Sequence, residues 1–329
     1  MLYGMGNGAD KILNILNSYN ITPAGIFASD GFVRDKYFRG YHIESLSYFE
    51  KKYEDFIILL CFGTEREEVI ENIKNIMSRH ELLAPDVPVF GNNIFDSDFV
   101  NKNYDRLKKV YERLADDLSE KTFENMVKFK LTGDLNYLFS CEAEKKAPYD
   151  EILNLSDNEV YLDLGAYRGD TVKEFLEIKE NYKKITAVEP DPKSFKKLKT
   201  FSESIKNIET INACVLDFTG ETEFDISNSR GSSAGKGKNR VKCVSVDDIC
   251  PEATFIKADI EGAELKMING AVNTIKANSP KMALSCYHRS EDLFTIPERI
   301  IEIREDYKIY MRHFKSVPAW DTVYYFVNT

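Results

Sequence analysis

Histidine and closely spaced cysteine are scarce in this sequence. Four histidines are spread over 329 residues, and the six cysteines include no Cys-x-x-Cys pair. A multi-histidine metal centre, a zinc ribbon and a disulfide framework are therefore unexpected, because each needs such residues at short, regular spacing. We interpret the cysteines as reduced and buried thiols, as is typical of a cytosolic protein.

Basic charge and long apolar runs are scarce as well. The net charge is −10 and the isoelectric point is about 5.2, so the basic footprint of a protein that binds nucleic acid or an anionic membrane is missing. No apolar run approaches the roughly 20 residues of a membrane span, and the N-terminus lacks the charged-then-apolar pattern of a signal peptide. We predict a cytoplasmic protein without nucleic-acid or membrane partners, whose oligomeric state the sequence does not indicate.

The composition that remains is that of an ordinary globular protein, with 43% apolar and 30% charged residues. Strand and helix patterns divide the chain into a Rossmann-like, nucleotide-binding-type α/β domain at 1–100, a charged helical connector at 101–150 and a larger α/β domain at 151–329. Three aromatic residues of the connector could close over a ligand of the larger domain: Tyr137, Phe139 and Tyr149. The alternative is that the connector consists of surface helices that hold the two domains apart.

The stretch Glu159–Thr171 organises the larger domain. A short apolar run, a small-residue turn and a helical pattern follow one another, which predicts a buried strand, a tight turn and a helix N-terminus. Gly165 and Gly169 would let a ligand approach the main chain, and the helix would aim its free N–H groups at that ligand. Asp163 leaves the strand towards the same turn.

A second predicted strand ends in Glu189-Pro190. An acid at this point of a doubly wound fold commonly receives the two hydroxyls of a ribose. Asp163 and Asp170 would repel a pyrophosphate, but they suit the cationic amino-acid part of S-adenosylmethionine (SAM). We therefore interpret the turn and Glu189 as a SAM site; the alternative is a strand-turn-helix unit without a ligand.

The remaining pattern alternates strands and helices around one detour. We predict a third strand over 208–215, a hairpin of strands 221–226 and 240–246 around a Ser-, Gly- and Lys-rich loop at 227–239, a fourth strand over 254–260, one helix over 263–278, a strand over 281–287, a helix over 296–305 and closing strands over 307–314 and 322–327. The closing strands have no helix between them, so the last one should be antiparallel. This order predicts the seven-stranded Rossmann-like sheet of a SAM-dependent methyltransferase.

The first domain carries a glycine-rich turn of its own. Gly4, Gly6 and Ala9 match Gly-x-Gly-x-x-Gly/Ala, Asp30 follows at the distance of a ribose-binding acid, and a further strand is predicted over 87–91. The turn could bind a nucleotide or nucleotide-sugar, or could serve helix–strand packing only. Hardly any strand precedes Gly4, so either that strand is very short or the chain is trimmed from something longer. The same feature disfavours an NAD-dependent oxidoreductase.

Several strings in the last 180 or so residues together resemble the FkbM family of SAM-dependent methyltransferases: Asp163–Thr171, Val188–Pro190, Val246–Ile249, Ile256–Glu264, Asn269–Ala271 and Tyr287-His288. The resemblance implies methyl transfer, usually to an oxygen, on natural products, sugars or glycans. It implies that SAM is held by Asp163, Gly165, Ala166, Gly169 and Glu189, with Asp170 and Pro190 beside them, and that Asn212 and Ala213 lie next to the adenine.

Three residues are candidates for catalysis: Asp259, Glu261 and His288. Asp259 ends the predicted fourth strand, next to the place where ligands bind such sheets, and could orient and deprotonate an acceptor hydroxyl. Glu261 and Glu264 could instead favour a helix N-terminus electrostatically, and His288 could be a polar strand end. The same carboxylates could hold Mg²⁺, although we predict no metal ligand.

A second class of function stays open at this stage. A non-catalytic protein could bind SAM or a nucleotide-sugar, or recruit another enzyme through its first domain. The acids at 259, 261 and 264 favour an enzyme, because a pure binder needs no base. The sequence does not name the acceptor, since acceptor pockets are built from variable loops.

Overall fold

A computed structural model of the chain describes residues 1–29, 33, 35–91, 93–224 and 239–328. Within these residues the strands form a six-stranded sheet near the N-terminus, a seven-stranded sheet in the C-terminal half and a small three-stranded sheet. The predicted α/β fold, with a smaller Rossmann-like unit before a seven-stranded sheet, is confirmed. None of the helices in the described ranges has both the length and the apolar character that crossing a membrane requires.

The N-terminal sheet is built from short strands. In chain order its elements are β1 Leu2–Tyr3, α1 Asn7–Ser18, β2 Ile26–Phe27, β3 Tyr37–Phe38, β4 Tyr41–Glu44, α2 Leu46–Lys52, β5 Ile58–Leu60, α3 Glu67–Met77 and β6 Leu82–Leu83. The spatial order is β3-β4-β2-β1-β5-β6, and β1 pairs with parallel strands on both sides. A first strand of two residues therefore does precede the glycine turn. Both of its residues are buried, which is where a central strand belongs.

Two features of this unit differ from the prediction. The prediction of a strand over 87–91 is wrong, because the last strand of this sheet is β6, which ends at Leu83. Pro88 has no N–H for a strand ladder, and the ammonium of Lys11 donates instead to the carbonyls of Pro88 and Val89, at 2.8 and 2.9 Å. The strands β3 and β4 and the helix α2 were not predicted, because each is too short for a periodic pattern. Asp30, the predicted ribose-binding acid, lies outside the described residues.

Helices connect the two sheets. They are α4 Ser97–Tyr111, α5 Asp117–Thr132 and α6 Asn136–Phe139, followed by a π-helical turn at Tyr149–Leu153. The carboxylate of Asp116 caps α5 by accepting the N–H of Ser119 at 2.8 Å, and it also pairs with Arg312 of the C-terminal sheet at 2.6 Å. At the other end of α5, Lys130 pairs with Asp86 of the N-terminal unit at 2.9 Å. Ion pairs at both ends of one helix thus tie the two sheets together.

The C-terminal unit contains the other two sheets. In chain order its elements are β7 Val160–Leu164, α7 Asp170–Ile178, β8 Lys184–Val188, α8 Pro192–Ser202, β9 Ile208–Ile211, β10 Cys214–Val215, β11 Gly220–Phe224, β12 Asn239–Val244, α9 Val246–Ile249, β13 Phe255–Ala258, α10 Glu264–Asn269, α11 Val272–Asn278, β14 Lys281–Ser285, α12 Asp292–Ile303, β15 Lys308–His313 and β16 Thr322–Val327. The large sheet has the order β15-β16-β14-β13-β7-β8-β9. The predicted antiparallel closing strand is confirmed, because β16 is antiparallel to both of its neighbours.

Two predicted elements are divided differently in the structure. The third strand splits, since β9 stays in the large sheet whereas β10 joins the small sheet beside β12. The helix over 263–278 breaks into α10 and α11 at Gly270, whose carbonyl accepts the N–H of Asp247 at 2.8 Å. The hairpin strands β11 and β12 are antiparallel as expected. Residues 225–238 of that hairpin, including most of the predicted loop, lie outside the described residues.

One apolar cluster runs through both large sheets and the helices between them. It includes Phe27 of the N-terminal sheet, Phe129 of α5 and Leu162 of the C-terminal sheet, all buried. Burial of this shared surface stabilises the arrangement by roughly 25 cal/mol per Å² of apolar area. Because the core is continuous, the two units hold a fixed relation to each other, and their facing edges define a cleft.

Candidate functional site

A cleft of about 820 Å³ lies at the carboxyl edge of the large sheet, where parallel sheets of this kind bind ligands. The C-terminal unit lines it with strand ends and turns that include Gly165, Tyr167, Asp170, Glu174, Glu189, Pro190, Cys214, Val215, Lys257, Asp259, Glu261, Tyr287, Trp320 and Asp321. The N-terminal unit forms the opposite wall with residues that include Met5, Asn7, Lys11, Phe62, Asp86 and Val87. The cleft is therefore shared by both units.

The turn between β7 and α7 brings backbone close to the neighbouring strand. Gly165 has φ +82°, and a Cβ atom there would lie 1.9 Å from the carbonyl oxygen of Asp259. The N–H groups of Gly165 and Ala166 donate to the carbonyl of Val188 at 2.9 and 3.0 Å. Only glycine fits at position 165, because the end of β13 passes directly beside it. The turn thus holds Asp259 next to the predicted cofactor loop.

Asp163 lies beneath this turn and does not line the cleft. It is fully buried, and its Oδ2 accepts the hydroxyl of Thr171 at the start of α7. Its Oδ1 lies 4.0 Å from the ammonium of Lys257 and accepts no hydrogen bond from any described residue. Burial raises the pKa of Asp163, and the nearby Lys257 opposes that shift. We interpret Asp163 as the group that fixes the turn and balances the charge of Lys257.

Glu189 follows β8 and lines the same end of the cleft. Its two carboxylate oxygens accept the backbone N–H groups of Tyr167 and Asp191, at 2.9 and 2.8 Å. Burial raises the pKa of Glu189 to about 7, and the two backbone N–H groups oppose that shift. Each oxygen keeps lone pairs after one bond, so the carboxylate can still accept the hydroxyls of a ribose.

The two residues predicted beside the adenine do not line the cleft. The side-chain amide of Asn212 donates to the carbonyls of Glu189 and Pro190, at 2.8 and 3.1 Å, and so braces the turn that holds Glu189. Ala213 is buried, and Cys214 forms the cleft wall next to it. These bonds occupy the side-chain N–H groups of Asn212, and the placement of Asn212 and Ala213 beside the adenine stays a prediction.

Asp259 lies at the end of β13 with its carboxylate in the cleft. Its Oδ1 accepts the hydroxyl of Tyr287 at 3.1 Å. The Nε2 atom of His288 lies 3.3 Å from the same oxygen and 3.5 Å from Oε2 of Glu261. The three predicted catalytic residues are thus brought together, and Asp259 and Glu261 line the cleft whereas His288 lies behind them.

His288 is enclosed by acids. Its Nδ1 lies 3.0 Å from Oε1 of Glu264, which is itself buried and accepts the N–H of Ile260. Burial lowers the pKa of His288, but the carboxylates of Glu264, Asp259 and Glu261 outweigh burial and raise that pKa to about 10. The imidazole therefore stays protonated at neutral pH, and a proton acceptor must be found among the carboxylates.

Residues 163–312 match the Methyltransferase FkbM domain family. The C-terminal unit is an FkbM methyltransferase domain. The chain is also similar to a solved structure, Methyltransferase FkbM from Methylobacillus flagellatus KT, at 23% identity over 99% of this chain and 88% of that chain with a TM-score of 0.77. That similarity extends the shared fold to the N-terminal unit.

Other solved structures are similar over about half of the chain. Precorrin-6y C5,15-methyltransferase from Geobacter metallireducens is 17% identical over 56% of this chain and 90% of that chain, with a TM-score of 0.36. Aeropyrum pernix fibrillarin, solved with S-adenosyl-L-methionine, is 15% identical over 53% and 69%, with a TM-score of 0.32. None of the curated proteins compared matches the chain.

Membership of the family implies the use of SAM, and the FkbM domain has residues that fit it. Gly165 exposes backbone to the cleft, Asp170 begins α7 there, and the buried carboxylate of Glu189 faces the same space. Asp163, Ala166 and Gly169 lie beneath or behind the turn. The cofactor residues predicted from the sequence therefore fall into two groups, one lining the cleft and one shaping its wall.

Sequence reasoning missed several groups that line the cleft or lie behind its wall. Glu174 lies one helical turn after Asp170 on α7, a spacing that places both on one face. Asp292, at the start of α12, lies near His288 and Glu264; burial raises its pKa to about 7. Lys11 and Asp86 come from the N-terminal unit. Helix spacing could have identified Glu174, whereas no pattern links the N-terminal residues to a site in the other half of the chain.

The glycine turn of the N-terminal unit also borders the cleft, but it is tightly packed. A Cβ atom at Gly8 would lie 2.2 Å from the carbonyl oxygen of Cys61, and one at Gly4 would lie 2.5 Å from the ring of Phe62. Packing therefore accounts for glycine at both positions. Nucleotide binding by this turn stays a prediction.

Proposed function

We propose that this protein transfers a methyl group from SAM to a hydroxyl oxygen of a sugar, a glycan precursor or another small molecule. The observation that carries the proposal is the position of Asp259. Its carboxylate faces the cleft, and its backbone carbonyl touches the cofactor turn at Gly165. A proton acceptor thus lies beside the predicted methyl donor, as alignment of the two reactants requires.

The cofactor site would use the cleft-lining residues of the FkbM domain. When bound, SAM supplies a methyl carbon already activated by a sulfonium. Glu189 would accept the ribose hydroxyls, and Pro190 would line the wall beside it. The backbone at Gly165 would lie close to the ligand, with Gly169 behind it in the same turn, and Asp170 would face the ammonium group of SAM. Asp163 and Ala166 would act by holding the turn in shape.

The acid–base work would fall to Asp259. The hydroxyl of Tyr287 and the nearby imidazolium of His288 fix its carboxylate in place. Since His288 already holds its proton, the hydroxyl proton of the acceptor would pass to Asp259 as the oxygen takes the methyl group. His288 is then a positioning residue, with Glu261 and Glu264 on either side of it.

The acceptor would be enclosed by the N-terminal unit and the last loop of the chain. Trp320 lines the cleft and packs on Gly63, where a Cβ atom would lie 2.2 Å from the indole. Val87 and Lys11 face the same space from the opposite wall. We therefore expect the acceptor specificity to depend on the first 100 residues. The domain boundaries at residues 100 and 150 stay a prediction, and so does the cytoplasmic location.

The proposal is tested by Asp259→Asn. We expect the rate of methyl transfer to fall by about 10²–10⁴-fold, with SAM affinity within a few-fold of the wild type by calorimetry. Asp321→Asn is the matched control, because Asp321 is a carboxylate of the same cleft that pairs with Lys145 at 3.4 Å. Near-normal turnover in Asp259→Asn would contradict the role given to that residue.

The acceptor itself is best found by mass spectrometry of cell extract incubated with the protein and SAM, in search of compounds that gain the mass of one methylene. Thermal shifts with SAM, S-adenosylhomocysteine, NAD and nucleotide-sugars separate this proposal from the alternative of a non-catalytic binding or recruiting protein. Stabilisation by NAD alone, or binding of SAM without any methylated product, would favour a different function.

A further inference from the structure

We propose that Asp259, Glu261 and the Nε2 atom of His288 form a binding site for a divalent transition-metal ion. The role that we give to the ion rests on the methyl transfer proposed above, whereas the binding site itself does not. One oxygen each of Asp259 and Glu264 and one ring nitrogen of His288 lie within 4.8 Å of one another. Asp259 and His288 follow the carboxyl ends of the neighbouring parallel strands β13 and β14, and Glu264 begins α10.

The separations match those between atoms that share one ion. Nε2 of His288 lies 3.3 Å from Asp259 and 3.5 Å from Glu261. Two ligand atoms bound to one ion at about 2.1 Å lie roughly 3.0–3.6 Å apart when their bonds make angles of about 90–120°. Each of the two carboxylates therefore lies at a ligand-like distance from Nε2.

The buried imidazole is an independent sign of a ligand. His288 is 0% exposed, and neither of its ring nitrogens makes an aligned hydrogen bond to a described residue. Polar groups this deeply buried are almost always hydrogen-bonded, so an exception needs an explanation. An ion at Nε2 would supply it by taking the place of the Nε2 proton, so that the nitrogen lone pair points at the metal. His288 would then be neutral, and the charge of the ion would replace that of the imidazolium beside Asp259.

Glu264 occupies the place of a supporting carboxylate. Its Oε1 lies 3.0 Å from Nδ1 of His288 and is held by the N–H of Ile260, also at 3.0 Å. Histidines that bind metals usually donate their other ring N–H to such a carboxylate, which fixes the tautomer and the orientation of the ring. The second oxygen, Oε2, is buried and accepts no hydrogen bond within the described part of the chain.

The local charge also favours a cation. Asp259, Glu261, Glu264 and Asp292 surround His288, and the adjacent Arg289 directs its Nε to the carbonyl of Gly262 at 2.9 Å. The side chains of Asp259 and Glu261 are 38% and 35% exposed, so an ion could enter from the cleft. Carboxylate oxygens beside one imidazole suit Mn²⁺ or Zn²⁺ better than Mg²⁺, which prefers oxygen ligands alone.

Such an ion would serve the proposed reaction by binding the acceptor hydroxyl and lowering its pKa. The released proton would pass to the oxygen of Asp259 that does not ligate the ion. Asp259 would then keep the proton-accepting role given to it above, while the ion would hold the acceptor oxygen in line with the methyl carbon.

The test uses the full chain stripped of metal, without SAM or acceptor, titrated with MnCl₂ and followed by the EPR signal of free Mn²⁺. We expect one bound ion per chain. Asp259→Asn and Glu261→Gln should each weaken binding at least tenfold, and Glu264→Gln by about 10–100-fold. Asp321→Asn should bind as the wild type does, because it lies in the cleft but outside the cluster.

The outcomes separate the two proposals. Absence of Mn²⁺ and Zn²⁺ binding below about 1 mM in the wild type overturns the metal site, as does equal affinity in Glu261→Gln and Asp321→Asn. Glu261 is partly exposed, so its variant stays informative even if changes at the buried Glu264 impair folding. Mn²⁺ binding without methyl transfer supports the site and contradicts the proposed reaction, whereas full turnover by metal-free protein contradicts the role given to the ion in that reaction.

Discussion

The β1–α1 turn and the β7–α7 turn have the same arrangement of strand, glycine-containing turn and helix, yet they have different neighbours. Both border one cleft, and both bring a glycine against a backbone carbonyl of a neighbouring segment: Gly8 against Cys61, and Gly165 against Asp259. The polar surroundings distinguish them. Glu189 and Asp259 lie beside the second turn, whereas the ring of Phe62 covers Gly4 of the first.

This comparison shows what a glycine pattern contributes. At both turns the glycine is required because a backbone carbonyl of a neighbouring segment lies too close for a side chain, and that requirement is the same with or without a ligand. The evidence for a ligand comes from buried carboxylates that the chain brings in from other strands. We therefore expect equivalent changes at the two turns to have similar effects on stability and different effects on SAM binding.

The largest effect is expected from Gly165→Ala paired with Gly8→Ala. Each added methyl group would collide with a carbonyl oxygen, at 1.9 and 2.2 Å respectively, so each should destabilise the protein by about 3 kcal/mol. Gly165→Ala should also abolish SAM binding, measured by calorimetry at a temperature where both variants are folded. Equal loss of SAM binding in Gly8→Ala would remove the distinction between the turns.

The next effect concerns the pH dependence of SAM affinity. Burial raises the pKa of Glu189 to about 7, and ribose hydroxyls would bind its charged form. SAM affinity should therefore fall by up to about tenfold per pH unit below pH 7 and level off above it. Glu189→Gln should bind SAM weakly at every pH and lose this dependence. An unchanged pH profile in that variant would show that the carboxylate does not contact the cofactor.

The same shift in the pKa of Glu189 has a consequence for stability without SAM. A carboxyl group whose pKa is higher in the folded state than in the unfolded state contributes stability below its unfolded pKa, and that contribution is lost as the pH rises through about 7. Glu189→Gln stays neutral, so its stability relative to the wild type should rise as the pH rises from about 4.5 to about 7 and stay level above pH 7. The pKa of Asp292 is also raised to about 7, so Asp292 contributes a similar pH dependence to both proteins. The difference between their free energies of unfolding removes that contribution.

The smallest effect is expected from Gly6→Ala in the N-terminal turn. Gly6 has φ +98° and ψ −156°, and a methyl group added there would meet only open space, so the cost should be the backbone strain alone, about 1–3 kcal/mol. SAM affinity and methyl transfer should stay within twofold of the wild type. If a nucleotide-sugar binds at this turn, its thermal shift should disappear in Gly6→Ala, which would assign the turn a ligand after all.

Much of the C-terminal unit was predictable from local sequence. The apolar run at 160–164 and the glycines after it predict β7 and its turn, since a fully buried parallel strand has a continuous apolar pattern. The closing strands were predictable because no helical pattern separates them. The prediction of one helix over 263–278 failed because its pattern gives no sign that the carbonyl of Gly270 accepts a hydrogen bond from the distant Asp247.

The sequence predicted Asp259, Glu261 and His288 as site residues, because polar residues that follow buried strands meet at the carboxyl edge of a parallel sheet. Only the tertiary structure decided their roles. It enclosed His288 among carboxylates, which keeps it protonated, and it directed Asn212 to the backbone next to Glu189. Charge and hydrogen bonding in a buried site depend on distances between segments far apart in sequence, and no periodic pattern records those distances.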